Sequence, residues 1–319
     1  MRSLYKTVLF LLLFPAAFSC GGQRGRDTSE APVLREFPVV TVPSMYGDPA
    51  ERKDYMTEHF WDAFLDTCSL HYSDSTVLNG VPLPDVERMI ANYIALAADR
   101  PLSSGVRSIN RFSARLETFG RKFPESAVYG KMVALTEKYL YDPNSPLRDE
   151  DLYRPFAASL AASPLTPENR RAGYRHQAEL SALNARGTKA ADFSFIDITG
   201  RKRTLYGIKA PYVLLIFGNP DCQGCQEILS RISGDARLSR MVKEGQLKVA
   251  DIYIDEDIPA WETGIGSYPK EWINGYDPLQ IIREDRLYHV RALPSLYLLD
   301  AEKTVLLKDA PAERILGAL

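Results

Sequence analysis

The chain has 319 residues, of which 45% are hydrophobic and 25% charged. Those are ordinary globular proportions, and the length exceeds what one typical core needs, so two domains are expected. The formal net charge is −2 with no long basic run, which provides no footprint for a phosphate backbone and argues against nucleic acid as a partner.

The N-terminus reads as a targeting segment. Arg2 and Lys6 precede an apolar stretch from Val8 to Phe18 that only Pro15 interrupts. This is about half of the roughly 20 residues a spanning helix needs, so a cleaved signal is expected. Ala17, Phe18 and Ser19 ahead of Cys20 resemble the end of a bacterial lipoprotein signal, with Ala17 standing where such signals usually carry Leu. The resemblance implies that residues 1–20 are the signal region, that Cys20 is lipidated, and that it anchors the protein to a membrane on its periplasmic side. An ordinary secretory signal is the alternative. Residues 21–50 would be a tether, polar and Gly-rich at its start.

Residues 51–187 carry helical periodicity. Val86, Met89, Ile90, Tyr93, Ile94 and Ala97 form one apolar stripe, and Val106, Ile109, Phe112, Leu116 and Phe119 another, with Gly120 as its expected stop. Ser126–Tyr141 and Asp149–Ala161 read as further helices, separated by the rigid turn Asp142-Pro143-Asn144-Ser145-Pro146. Thr166-Pro167 opens a last helix that Gly187 should close. The expectation is an all-α N-terminal domain. His59, amid Tyr55, Met56, Phe60 and Phe64, reads as a packed histidine at the core's edge, and Cys68 as a buried or half-buried thiol. Cys68-Ser-Leu-His71 has metal-ligand spacing, but its complement would lie in the other domain, so no metal site is expected.

After Gly187 the pattern changes to that of an α/β domain, residues 188–319, with a joint at 186–189 that composition marks as open to proteases. Asp192–Ile198 and Arg203–Tyr206 form a hairpin, and Pro211–Phe217 a buried strand. Cys225–Ile232 opens a helix, Leu238–Lys243 continues helical, and Leu247–Ile254 is a strand. A long connection containing Trp261, Trp272 and Asn274-Gly275-Tyr276-Asp277 follows, its aromatics covering the sheet and Asp255-Glu256-Asp257 forming a solvated turn. Ser295–Leu299, Thr304–Leu307 and a helix over Ala312–Leu319 complete the domain.

Apart from Cys20, the cysteines are Cys68, Cys222 and Cys225. The Cys222-Gln-Gly-Cys225 pair falls where the buried strand gives way to a helix. Two cysteines so spaced on a first helical turn can bring their sulfurs to bonding distance. The first then faces the free N–H groups and positive end of the helix, a field that favours the nucleophilic thiolate.

The segment Tyr212-Val213-Leu214-Leu215-Ile216-Phe217-Gly218-Asn219-Pro220-Asp221-Cys222-Gln223-Gly224-Cys225 resembles the active-site strand and turn of membrane-anchored periplasmic thiol-disulfide oxidoreductases of the thioredoxin-like family. Asp192-Phe193-Ser194-Phe195-Ile196-Asp197 resembles their extra hairpin, and Ala292-Leu293-Pro294-Ser295-Leu296-Tyr297-Leu298-Leu299-Asp300 their cis-proline loop and following strand. The resemblance spans about residues 190–319 and implies a thioredoxin-like α/β fold without cofactor. It further implies Cys222 as attacking and Cys225 as resolving thiol, a cis Pro294, and a Leu293 backbone that holds the substrate. Partners would be protein thiols or disulfides and a membrane or periplasmic redox partner. Tyr139 to Pro146 and Tyr55 to Phe64 resemble a domain of unknown function that precedes such domains in Gram-negative lipoproteins. There are departures from the thioredoxin-like pattern. Pro220-Asp221 replaces the usual Trp, Gly224 the usual Pro, and Ile216 the usual buried Asp, so the proton acceptor for Cys225 is missing at that position. Glu227 and His289 are the candidate substitutes. A redox-inactive thioredoxin-fold lipoprotein that serves as a binding or scaffold module is the alternative function.

Overall fold

The computed structural model describes residues 33–319. The signal region and Cys20 lie outside them. Asp48 opens α1 (Pro49–Glu58) by accepting the Ala50 N–H at 2.7 Å. A two-residue hairpin, β1 (Val77–Leu78) with β2 (Val81–Pro82), turns at Asn79 and Gly80, both at positive φ, and interrupts an otherwise helical half. Then come α2 (Leu83–Ala98), α3 (Leu102–Lys122), α4 (Val128–Leu140), α5 (Glu150–Ala162) and α6 (Glu168–Ser181). Their apolar stripes bury Ile90, Tyr93, Ile109, Phe112, Leu116 and Phe156 in one core around Trp61.

Two glycines act differently from expectation. Gly120 does not stop α3, which runs on to Lys122. A Cβ there would lie 2.7 Å from Leu165 Cδ1 and 2.9 Å from Tyr129 Cδ2, so the glycine permits close packing inside the helix. Gly187 lies beyond the end of α6, in the connecting turn, at φ +82.

The second half is built on a seven-stranded sheet. Its members are β3 (Ser194–Asp197), β4 (Lys202–Thr204), β5 (Tyr212–Gly218), β6 (Leu247–Tyr253), β7 (Ile273–Tyr276), β8 (Ser295–Asp300) and β9 (Val305–Leu307). The order is β4-β3-β7-β6-β5-β8-β9. Strands β5, β6 and β7 are parallel, while β8 runs antiparallel to β5. β5 is central and buried on both faces, Val213, Leu215 and Phe217 in one core and Leu214 and Ile216 in the other. α7 (Gln223–Gly234), α8 (Ala236–Lys243) and α11 (Ala312–Ala318) cover the second face through Leu229, Ile232, Leu238 and Ile315. α9 (Ile258–Gly264) and α10 (Ile281–Glu284) lie within the long connection, with β7 between them.

β7 falls within the long connection, where no strand is expected. Gly275 meets Phe195, whose Cδ2 would be 2.6 Å from an added Cβ. The missing side chain admits the neighbouring strand.

Residues 33–319 form one compact unit. The N-terminus of α5 ties its halves together. Buried Glu150 lies 2.7 Å from His289 Nδ1 and 2.8 Å from both Arg291 Nε and Lys308 Nζ. Burial pushes the Glu150 carboxyl up, but the His289 hydrogen bond and the charges of Lys308 and Arg291 prevail and hold it at about 2. The joint is pinned rather than open. Arg186 bonds Asp149 and Asp151, each at 2.9 Å, and the Gly187 N–H donates to the Val305 carbonyl at 2.9 Å.

Candidate functional site

β5 ends at Gly218 and the chain turns immediately into α7. The turn is closed by short bonds. The Asp221 N–H donates to Asn219 Oδ1 at 2.9 Å, Asn219 Nδ2 to Asp255 at 2.7 Å, and Gln226 Nε2 to the Pro220 carbonyl at 2.6 Å. Cys222 falls on the N-cap of α7, where its sulfur accepts the Cys225 N–H at 3.3 Å. Cys222 is half-buried, whereas Cys225, one turn in, is fully buried, and both are free thiols. Burial, then the hydrogen bond to Cys222, pushes the Cys225 thiol well above its ordinary range.

The Leu293–Pro294 peptide is cis and precedes β8. The Cys222 thiol donates to the Leu293 carbonyl at 3.8 Å, which brings the loop beside the pair.

Ile216 is an apolar core residue and supplies no acceptor at its own position, as expected, but a buried carboxylate lies on the neighbouring strand. Asp251 on β6 is the register partner of Ile216 on β5. It is 3% exposed, and burial pushes its carboxyl up to about 8. Among the described residues its Oδ2 has no hydrogen-bond partner, nor has the buried Tyr268 hydroxyl, and Asp251 is near enough that its charge raises both the Cys225 thiol and the Tyr268 phenol. The Gly218 Cα admits this carboxylate, since a Cβ there would lie 2.9 Å from Asp251 Oδ1. One signal could have found it: Asp251 is the lone acid in the apolar run Val249–Ile254.

Neither suggested substitute offers a buried, unpaired acceptor. His289 is held by Glu150 at the α5 contact, and Glu227 is an exposed residue of α7 bonded by Gln223 Nε2 at 2.9 Å. Cys68 is exposed rather than buried, because it lies in the loop after α1, where Asp66 accepts its N–H at 3.2 Å and raises its thiol. His59 stacks on Tyr55 with ring centroids 4.1 Å apart and pairs with Asp62 at 2.8 Å. Among the described residues no cluster of three or more His, Cys, Asp or Glu could hold a metal ion.

The family model described as a domain of unknown function (DUF5106) matches residues 19–184. A crystal structure of a thioredoxin-like protein from Bacteroides caccae is 33% identical, covering 89% of this chain and 98% of that one, with a TM-score of 0.74. This is a thioredoxin-like protein of the DUF5106 family. A second solved structure, the C-terminal domain of an uncharacterized protein from Bacteroides fragilis, is 40% identical over 43% of this chain and 99% of that one, with a TM-score of 0.42. A thiol-disulfide oxidoreductase from Bacteroides fragilis is 25% identical over 41% of this chain and 96% of that one, with a TM-score of 0.36. No curated protein matches the chain significantly. In this thioredoxin-like protein the aromatics of the long connection are structural. Trp261 packs on Tyr276 with centroids 4.9 Å apart, and Trp272 joins the core beneath α8.

Proposed function

We propose that this protein is a thiol-disulfide oxidoreductase that exchanges disulfides with protein substrates. One observation carries the reading: a half-buried sulfur on a helix N-cap, one turn from a buried thiol and beside the Leu293–Pro294 loop. The helix end presents N–H donors to an anion at the Cys222 sulfur. The Cys222 thiolate attacks one sulfur of a substrate disulfide. A Cys222–substrate S–S bond forms, the substrate's own S–S bond breaks, and one substrate thiolate leaves. Asp251 takes the Cys225 proton, the Cys225 thiolate attacks the Cys222 sulfur, and the second substrate thiolate departs. The substrate gains two electrons and the Cys222–Cys225 pair becomes a disulfide. Oxidation of a substrate dithiol follows the same path in reverse. A dithiol or disulfide partner in the cell envelope resets the pair, and a lipid on Cys20 holds the protein at a membrane facing the periplasm.

The two roles make unequal demands on mutants. Cys225→Ala should accumulate substrate proteins as mixed disulfides on a non-reducing gel, and Cys222→Ala should accumulate none. Alkylation of the reduced protein should label Cys222 ahead of Cys225 and Cys68, whose thiols are raised by burial and by Asp66. Slow, equal labelling with no trapped species would leave the scaffold reading instead.

A further inference from the structure

A groove of about 410 Å³ borders the redox centre, reaching Gly224 between the two cysteines and the Leu293–Pro294 loop beside Cys222, and the helical half supplies part of its wall. Pro143, Asn144 and Pro146, in the turn between α4 and α5, line it together with Gly224, Glu227 and the Leu293–Pro294 loop. That turn is firmly built. Asp142 accepts the Asn144 N–H at 2.8 Å, and the Ser145 hydroxyl donates to the Tyr139 carbonyl at 2.7 Å. Arg148 then ties it to the sheet half, donating to the Asp309 carbonyl at 2.9 Å. The loop opposite is anchored to the same place, because Arg291, two residues before Leu293, is held by Glu150 at 2.8 Å and by Asp309 at 2.9 Å. Both walls are thus referenced to the start of α5.

The groove's charge is unbalanced. Among the described residues its one lining cation, Arg148, is spent on buried Asp309, and Glu313 at the rim is paired with Arg231. Glu227 is exposed, lies one turn of α7 from the cysteine pair, and forms no ion pair among the described residues. Exposed Asp221, adjacent to Cys222, is likewise unpaired among them.

We propose that this groove seats the extended polypeptide segment bearing the reacting cysteine, that a lysine or arginine flanking that cysteine lies against Glu227, and that the Pro143–Pro146 turn makes the helical half part of the substrate-reading surface. The proposal rests on the oxidoreductase reading and adds the substrate class. A cationic segment is the complement of this rim, since opposed charges across a docking face set partner choice more than raw affinity.

Single-turnover reaction of the reduced full-length protein tests it. The probes are short peptides whose central cysteine is a mixed disulfide with thionitrobenzoate, flanked either by lysines or by glutamates, and the small disulfide dithiobis(nitrobenzoate). Each turnover of a peptide releases thionitrobenzoate and peptide thiol, and each turnover of the small disulfide releases two thionitrobenzoates; both leave the Cys222–Cys225 disulfide, so no further reductant is needed. Wild type should prefer the lysine peptide by roughly fivefold, the scale of one partly sheltered charge pair. Glu227→Gln should abolish the preference and Glu227→Lys reverse it. Asn144→Trp, which fills the groove from the helical side, should lower the ratio of peptide to small-disulfide rates by about tenfold. Equal use of both peptides by wild type, an unaltered preference in Glu227→Lys, or an unaltered ratio in Asn144→Trp would overturn the proposal. Failure of wild type to react with any probe would instead overturn the oxidoreductase reading, and this inference with it.

Discussion

Asp251 and Ile216 face each other as register partners in the parallel β5–β6 ladder. A carboxylate expected on the strand leading to the cysteines therefore sits one strand away, in the same buried layer beneath them. Because the strands are in register, Ile on β5 still leaves a buried carboxylate in that layer.

The kinetic consequence concerns the resolving step. Asp251→Asn keeps the shape but cannot take the Cys225 proton, so a mixed disulfide at Cys222 should persist about a hundredfold longer. In wild type, resolution should accelerate as pH rises through about 8, where Asp251 ionises, and that limb should be absent from the Asn variant. Quench-flow on non-reducing gels measures both.

Stability should respond in the opposite sense. The folded protein keeps the Asp251 proton up to about pH 8, whereas the unfolded chain releases it near the ordinary value of 3.8. Between these limits the folded state binds the extra proton, so Asp251 costs stability progressively as pH rises. Asp251→Asn should match wild type near pH 4 and exceed it by a few kcal/mol at pH 8. Urea midpoints at the two pH values decide.

Glu150 is the converse case. Removing it leaves buried His289 and Lys308 without their carboxylate and Arg291 with Asp309 alone, so Glu150→Ala should cost about 3–5 kcal/mol. Its folded value of about 2 lies below the unfolded value of 4.5, so the stabilisation is present above pH 4.5 and lost as pH falls toward 2. Acid titration of wild type should therefore show a loss that Glu150→Ala no longer shows.

Gly264 holds the redox turn in place by having no side chain. An added Cβ would collide with the ring of Pro220, two residues before Cys222. Gly264→Ala should cost about 1–3 kcal/mol and slow alkylation of Cys222, whereas Gly266→Ala, with nothing within 4 Å, should do neither. Thermal melts and labelling rates give the comparison.

The anchor is tested in cells. Cys20→Ser should move the protein from the membrane fraction to the soluble one. Identical partitioning of variant and wild type would remove the lipid from the proposal.

The helical stripes and the strands β3, β5, β6 and β8 were legible because period 3.6 and buried apolar runs leave a direct mark on sequence. Cys222 and Cys225 announced themselves by spacing and by their place after a buried strand. Asp251 left a fainter mark: a lone acid in the apolar run Val249–Ile254 is visible in sequence, but its meaning depends on which strand lies alongside. β7 was hidden for a related reason: Gly275 makes room for Phe195 of the neighbouring strand, and that partner leaves no mark in the local sequence. The contact of Glu150 with His289, Arg291 and Lys308 joins residues more than a hundred positions apart, and no local pattern encodes it.

The pinned joint has a bearing on how the protein could be divided. β9 ends the sheet, and its outer side is occupied by the connector, with the Val305 N–H donating to the Thr188 carbonyl at 2.9 Å and Lys189 bridged to Thr304. The linker therefore doubles as a terminal strand guard. A thioredoxin-like half excised from Ala190 onward would carry a bare edge with unsatisfied backbone groups, the kind of template on which other chains add. Such a fragment would be prone to self-association even with its redox centre intact, so the connector protects solubility as well as joining the two halves.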